Sequence, residues 1–173
     1  MACHTPVVLI RPATTSDVKA VARVHVAAWD AAKEGLDLST RRTWGERVEL
    51  WTRFLAEGRG TLWVAEDGGS IIGFCAVGPS RDDDRAGECE VYTLYVDPAR
   101  WGQRVGSALM ARAPLGEVIS LWVAEGNVRA RRFYARHGFA PDGAHEEGHH
   151  VPVIRMVRDV RKTSPAASGP FVE

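Results

Sequence analysis

Hydrophobic positions along the chain change period repeatedly, and each change marks an element. "VVLIR" (7–11) is a short apolar run that predicts a strand. "TTSD" follows with side-chain oxygens able to cap a helix, and Val18, Val21, Ala22, His25, Ala28 and Trp29 then recur at helical spacing. A second stripe of Trp44, Val48, Trp51 and Leu55 predicts a helix over 41–57, stopped by Gly58. "TLWVAE" and "SIIGFCAV" flank "DGG", the signal of a β-hairpin. A polar loop, "GPSRDDDRAG", leads to the strand "ECEVYTLYV". Strict alternation there places Glu88, Glu90, Tyr92 and Leu94 on one face, with Val91, Thr93 and Tyr95 on the other.

The second half continues in the same way. A glycine-punctuated turn after "YVDP" opens a helix near Gly102 that ends before Pro114. "VISLWVAE" is a buried strand, and "NVRARRFYARHG" is a helix with Asn127 as N-cap and Gly138 at its end. Two short strands, 139–140 and 151–158, enclose a last polar loop. The order β-α-α-β-β-β-α-β-α-β-β predicts an α/β (α+β) fold, a mixed sheet with helices on both faces. Residues 1–160 read as one domain. "KTSPAASGPFVE" and the rest of 161–173 read as a disordered tail.

Composition narrows the function classes. Lys plus Arg number 22 and Asp plus Glu 22, so the net charge is zero and nucleic acid is not an expected partner. No apolar run reaches membrane-spanning length, and the N-terminus lacks the pattern of a signal peptide, so no membrane partner is expected. The three cysteines have no metal-ligand spacing, which predicts reduced thiols in the cytoplasm and no metal. Most of the six tryptophans are expected in the core. His145, His149 and His150 are read as the edge of a pocket, and His25 as a satisfied core residue. Arg81–Asp84 is expected to be a solvated loop.

The candidate chemistry lies in "YVDPARWGQRVGSALM" (95–110). A helix N-terminus carries unpaired N–H groups and about half a positive charge, and Gly102 and Gly106 leave its backbone open to an anion such as pyrophosphate. Neither the Walker pattern nor the dinucleotide G-x-G-x-x-G is present. From here the chain resembles the GNAT superfamily of N-acetyltransferases, whose signature is Q/R-x-x-G-x-G/A after a strand ending in Val-x-Pro. Read literally, the signature falls on Gln103-Arg104-Val105-Gly106-Ser107-Ala108. Counted from "YVDP", it falls on Trp101-Gly102-Gln103-Arg104-Val105-Gly106, with Trp101 for the usual Arg or Gln and Arg104 for the first glycine. "LYVDP", "LWVAEGNVRARRFYARHGF" and "PVIRMVR" also look like family segments in family order, over about residues 7–158.

The resemblance implies a mostly antiparallel sheet and acetyl-CoA as co-substrate. It places acetyl-CoA against Leu94, Tyr95 and Val96, the turn Trp101, Gly102, Gln103, Arg104, Val105, Gly106 and Ser107, and the helix residues Asn127 and Tyr134. In the family, splayed strands expose an amide beside the thioester, and by position that amide lies within Leu94–Val96. Tyr134 resembles the family's tyrosine that protonates the departing thiolate. Glu90 lies close to where a family carboxylate acts as base. The implied activity is acetyl transfer to a primary amine, with a small molecule as acceptor and a monomer or homodimer as the assembly. Three other readings stand beside it: a protein N-terminal or lysine acetyltransferase, a non-catalytic acyl-CoA-binding module, and a zinc hydrolase built on His145, His149 and His150.

Overall fold

A capping box at Thr14 and Asp17 and another at Thr43 and Glu46 start the first two helices, because each Thr and acid exchange hydrogen bonds across the first turn. A computed structural model describes residues 8–32, 43–112, 118–147 and 151–163. Along them run β1 (Leu9–Pro12), α1 (Val18–Ala32), α2 (Trp44–Glu57), β2 (Thr61–Asp67), β3 (Ser70–Pro79) and β4 (Cys89–Val96). Then come α3 (Val105–Arg112), β5 (Val118–Ala124), α4 (Val128–Arg136), β6 (Ala140–Glu147), β7 (Pro152–Asp159) and a short α5 (Val160–Thr163). The order of strands and helices is the expected one. Residues 164–173 of the expected tail lie outside the described residues, whereas 161–163 are helical.

The seven strands form one mixed sheet in the order β1-β2-β3-β4-β5-β7-β6. Only β4 and β5 run parallel; the other neighbours are antiparallel. Gly68 and Gly69, at φ 55° and 79°, make the tight turn of the β2–β3 hairpin. Two cores flank the sheet. Val21, Val24 and Trp51 from α1 and α2 pack on Leu62, Val64 and Phe74. Val105, Leu109, Met110 and Tyr134 from α3 and α4 pack on Cys75, Val91, Ile119 and Leu121 on the other face. No helix among the described residues is long and apolar enough to cross a membrane.

Four expectations change. Strict alternation fails in β4, because Ala76 faces Thr93 while Val77 faces Val91, which leaves Tyr92 as an extra residue. Across this bulge the phase reverses: Val91 and Leu94 both join the α3–α4 core, while Tyr92 and Tyr95 both join the α1–α2 core. Second, α3 starts at Val105 rather than near Gly102, since Gly102 and Arg104 both hold positive φ in the turn before it. Third, most of the polar segment after Ala140 is strand: β6 pairs with β7 at the sheet edge, and most of its residues are exposed, with the Asp142 side chain covered by arginines. An edge strand wet on both faces has no apolar alternation to announce it.

Finally, the loop before β4 is fastened down. Arg155 of β7 is 6% exposed and donates to Asp82 at 3.0 Å, Asp84 at 2.7 Å and Asp142 at 2.8 Å. Trp122 Nε1 also donates to Asp82 at 3.1 Å, and Arg85 ties Glu88 to Asp142. A buried guanidinium requires such partners, so the acidic run serves as its counter-charge. Among the tryptophans only Trp51 is fully buried, and Trp44 is 48% exposed. Both ends of a Trp can be used this way, ring in apolar contact and N–H on a polar partner.

Candidate functional site

β4 and β5 pair only from Cys89 to Val91 with Ile119 to Leu121. Beyond that point each strand keeps only its outer neighbour, β4 holding β3 as far as Val96 and β5 holding β7 as far as Ala124. The two parallel strands therefore part. The N–H of Asp97 donates to Ile72 of β3 at 2.9 Å, so alternation turns the backbone groups of Val96 and Leu94 the other way, into the gap. Trp101 Nε1 caps the Val96 carbonyl there at 2.9 Å.

A cleft of about 870 Å³ opens from this gap. Leu94, Tyr95 and Val96 line it from β4; Trp101, Gly102, Arg104, Val105, Gly106 and Ser107 from the turn and α3; Asn127 and Tyr134 from α4. Of the residues expected around acetyl-CoA, Gln103 is the one that does not line the cleft, because its amide turns back to Ala99 O at 3.4 Å. Arg104 has φ 62°, a left-handed backbone that favours glycine, which is the residue the alignment counted from "YVDP" puts there. Gly106 serves helix approach: a Cβ on it would lie 3.2 Å from the Phe133 ring and 3.6 Å from Leu94. Asn127 caps α4 by accepting from Ala130 N–H at 3.0 Å.

Arginines that sequence reasoning missed complete the walls. Arg100, Arg129 and Arg136 join Arg104 in lining the cleft. Arg129 lies 3.3 Å over the Trp101 ring, and partial burial there lowers its pKa. Arg100 pairs with Asp67 at 3.0 Å. Arg129 and Arg136 share the seven-residue spacing of Asn127 and Tyr134, so the same helix-face count would have found them. Ala28, Ala31 and Ala32 of α1 also contribute, and their small side chains left no signal.

Tyr134 is 8% exposed, and its hydroxyl has no hydrogen-bond partner among the described residues. Burial pushes its pKa above the usual phenol value, so the hydroxyl keeps its proton at neutral pH. Glu90 stands elsewhere, outside the cleft lining and only 1% exposed. Its carboxylate accepts from the Arg81 backbone N–H at 2.9 Å, from Arg81 Nε at 3.1 Å and closely from Arg81 Nη2. That guanidinium also covers the Tyr92 ring at 4.4 Å. His25 is buried, accepts from Trp51 Nε1 at 3.1 Å and stacks on Tyr95. His145 is exposed on β6, and His149 and His150 lie outside the described residues.

Residues 58–141 match the acetyltransferase (GNAT) domain. The chain is 32% identical over 145 residues to the "Probable N-acetyltransferase Rv2775" of Mycobacterium tuberculosis, covering 78% of this chain and 80% of that protein. Its fold is similar to that of a Desulfovibrio desulfuricans protein assigned to the GNAT acetyltransferases, with TM-score 0.70 and 21% identity over 88% of this chain and 99% of that one. It is similar also to the Salmonella typhimurium yncA protein, solved with its cofactor acetyl-CoA, with TM-score 0.66 and 18% identity over 95% and 99% of the two chains.

Proposed function

The chain belongs to the GNAT family of N-acetyltransferases and is an acyltransferase, and on that premise we propose that it moves an acetyl group from acetyl-CoA to a primary amine of a small molecule. The observation that carries this reading is the parting of β4 and β5 beyond Val91, which turns the backbone N–H groups of Leu94 and Val96 toward the cleft instead of toward a neighbouring strand. The residues present suit a polyanionic thioester. Arginines and the α3 amides would hold its phosphates, Ala130 and Phe133 give apolar wall, and the Tyr134 hydroxyl would meet its polar reacting end. The Salmonella protein's acetyl-CoA lends support from a chain of the same fold.

Bound acetyl-CoA supplies an activated acyl carbon, and the protein's residues do the rest. An N–H of Leu94 or Val96 donates to the thioester oxygen as charge develops on it. Tyr134 donates its proton to the departing thiolate. Glu90 accepts the amine's proton, through water because it sits about 10 Å along the strand from Leu94, the two facing Gly78 and Cys75 of β3. An alkyl amine with pKa near 10.4 needs about 4–5 kcal/mol to shed that proton at pH 7, so a placed base matters. Arg81 neutralises Glu90 while it waits, and its exposed guanidinium can give way to an incoming amine.

Thiol release from acetyl-CoA, followed over a panel of small amines and of peptides with free N-termini or lysines, tests the proposal. A small amine should be the best acceptor, and Glu90→Gln should lose turnover most at low pH, where few amines are already neutral. Turnover on peptides alone would move the assignment to proteins, and CoA binding without turnover on any acceptor would reduce the chain to a binding module.

A further inference from the structure

Ser107 on the cleft wall is hydrogen-bonded to a residue behind it that has no part in the chemistry above. Ser107, in the first turn of α3, lines the cleft, and its Oγ lies 3.1 Å from Nε2 of His137. His137 ends α4, and its Nδ1 lies 2.8 Å from the carbonyl oxygen of Phe133. A carbonyl can only accept, so Nδ1 carries a proton. In the neutral ring Nε2 is then bare and can only accept, which makes the Ser107 hydroxyl the donor. A hydroxyl committed in this way offers lone pairs to its surroundings. Lone pairs repel an anion.

Protonation of His137 reverses the bond. Nε2–H then donates to Ser107 Oγ, and the hydroxyl hydrogen is released to point at an anion beside the α3 amides. We infer that His137 and Ser107 form a proton-linked contact for the pyrophosphate of CoA, so that the ligand binds more tightly when His137 is protonated. The inference rests on the acetyl-CoA reading of the cleft and makes His137 a positioning residue that acts through Ser107.

The charges near the ring support the coupling. Arg136 precedes His137 and lines the cleft, Arg158 of β7 donates to the His137 carbonyl at 3.4 Å, and Arg104 stands at the foot of α3. The Phe133 ring packs on the imidazole at 4.3 Å and contributes no charge. Arg136, Arg158 and Arg104 are all cations. A bound pyrophosphate offsets them and favours the imidazolium. By linkage, the proton must then strengthen anion binding by the same factor.

The test is calorimetric titration with dephospho-CoA between about pH 5.5 and 8.5. That ligand lacks the 3′-phosphate, whose own ionisation near pH 6 would overlap the imidazole range. Wild type should bind about tenfold more tightly at the acid end, the gain expected of one hydrogen bond to a charged group. Ser107→Ala should keep only the part due to the imidazolium charge, and His137→Gln should lose the pH response altogether. Because His137→Gln could disturb the end of α4, the His137 ring resonance in wild-type protein gives a second readout: ligand should move its titration to higher pH. A wild-type slope preserved in folded His137→Gln, or a ring titration unmoved by ligand, overturns the inference while leaving the cleft as the CoA site. Failure of wild type to bind either dephospho-CoA or CoA at any pH overturns the acetyl-CoA reading, and this one with it.

Discussion

Replacing Arg104 with glycine should raise stability and weaken CoA binding, two effects of opposite sign from one residue. Among the described residues Arg104 is the non-glycine residue with positive φ, at 62°. A β-carbon in that region costs about 1–2 kcal/mol. Glycine removes the strain but widens the unfolded ensemble, which offsets about 0.4–1 kcal/mol. The net expectation for Arg104→Gly is a gain of about 0.5–1 kcal/mol, or about 1–4 °C in Tm for a chain of this size. The side chain explains why the strain is kept. Arg104 is exposed, lines the cleft beside the α3 amides and has no ion pair among the described residues. An exposed guanidinium on phosphate should be worth about three- to tenfold in affinity, below the full strength of a charge-assisted bond because solvent screens it.

Arg104→Ala separates the two effects, since it keeps the strained β-carbon and removes the charge. Its Tm should match wild type within about 1 °C while its CoA affinity falls as far as that of Arg104→Gly. Scanning calorimetry and isothermal titration on the three proteins supply every number needed. A lower Tm for Arg104→Gly would show that the turn is not strained, and undiminished CoA affinity in both variants would remove Arg104 from the phosphate site. Strain held at a ligand-facing residue is the pattern expected where binding sets the sequence.

Two further outcomes follow from named groups. Tyr134→Phe should cut turnover by about 10- to 10³-fold with CoA affinity nearly unchanged, because the ring keeps its packing and only the proton donor is lost; normal turnover would leave Tyr134 as a packing residue. Asp17 accepts from Arg11 at 2.8 and 2.9 Å and from Thr14 N–H at 2.7 Å, and Arg11 above all holds its pKa down to about 2. A depressed carboxylate stabilises the fold fully above its unfolded value and loses that contribution as pH falls through about 2, so urea unfolding of wild type should show a decline from pH 4 to 2 that Asp17→Asn flattens. An equal decline in the variant would assign the acid sensitivity to other groups.

Much of the framework was legible because its signals are local. Capping oxygens at Thr14 and Asn127, the left-handed Gly58 and the Gly68–Gly69 turn each act within a few residues, and each appears where local chemistry puts it. What stayed hidden depends on partners distant in sequence. Arg155 reaches Asp82 and Asp84 across more than seventy positions, so the acidic run read as solvated when it is the counter-charge of a buried guanidinium. Strand β6 is made by its backbone bonds to β7, and its polar side chains carry no trace of them. The cleft was half legible. Its α3 and α4 residues follow from turn chemistry and helix spacing, while the alanines of α1 arrive only through tertiary packing.

Strand β4 shows why a periodicity count finds a site's residues more readily than its layout. One extra residue at Tyr92 reverses the faces midway, so Glu90 and Tyr95, which strict alternation would separate, both turn toward the α1–α2 layer, while Val91 and Leu94 turn toward α3 and α4. Just past the bulge, β4 and β5 stop pairing. The bulge adds local twist to β4, whereas β5 keeps an unbroken register with β7 along its length, so the two parallel strands diverge. The same irregularity thus orients the side chains of β4 and frees the backbone edge of Leu94 and Val96. A variant lacking Tyr92 should restore the alternation and narrow the cleft, so its CoA affinity should fall even though no residue of the cleft lining has been changed.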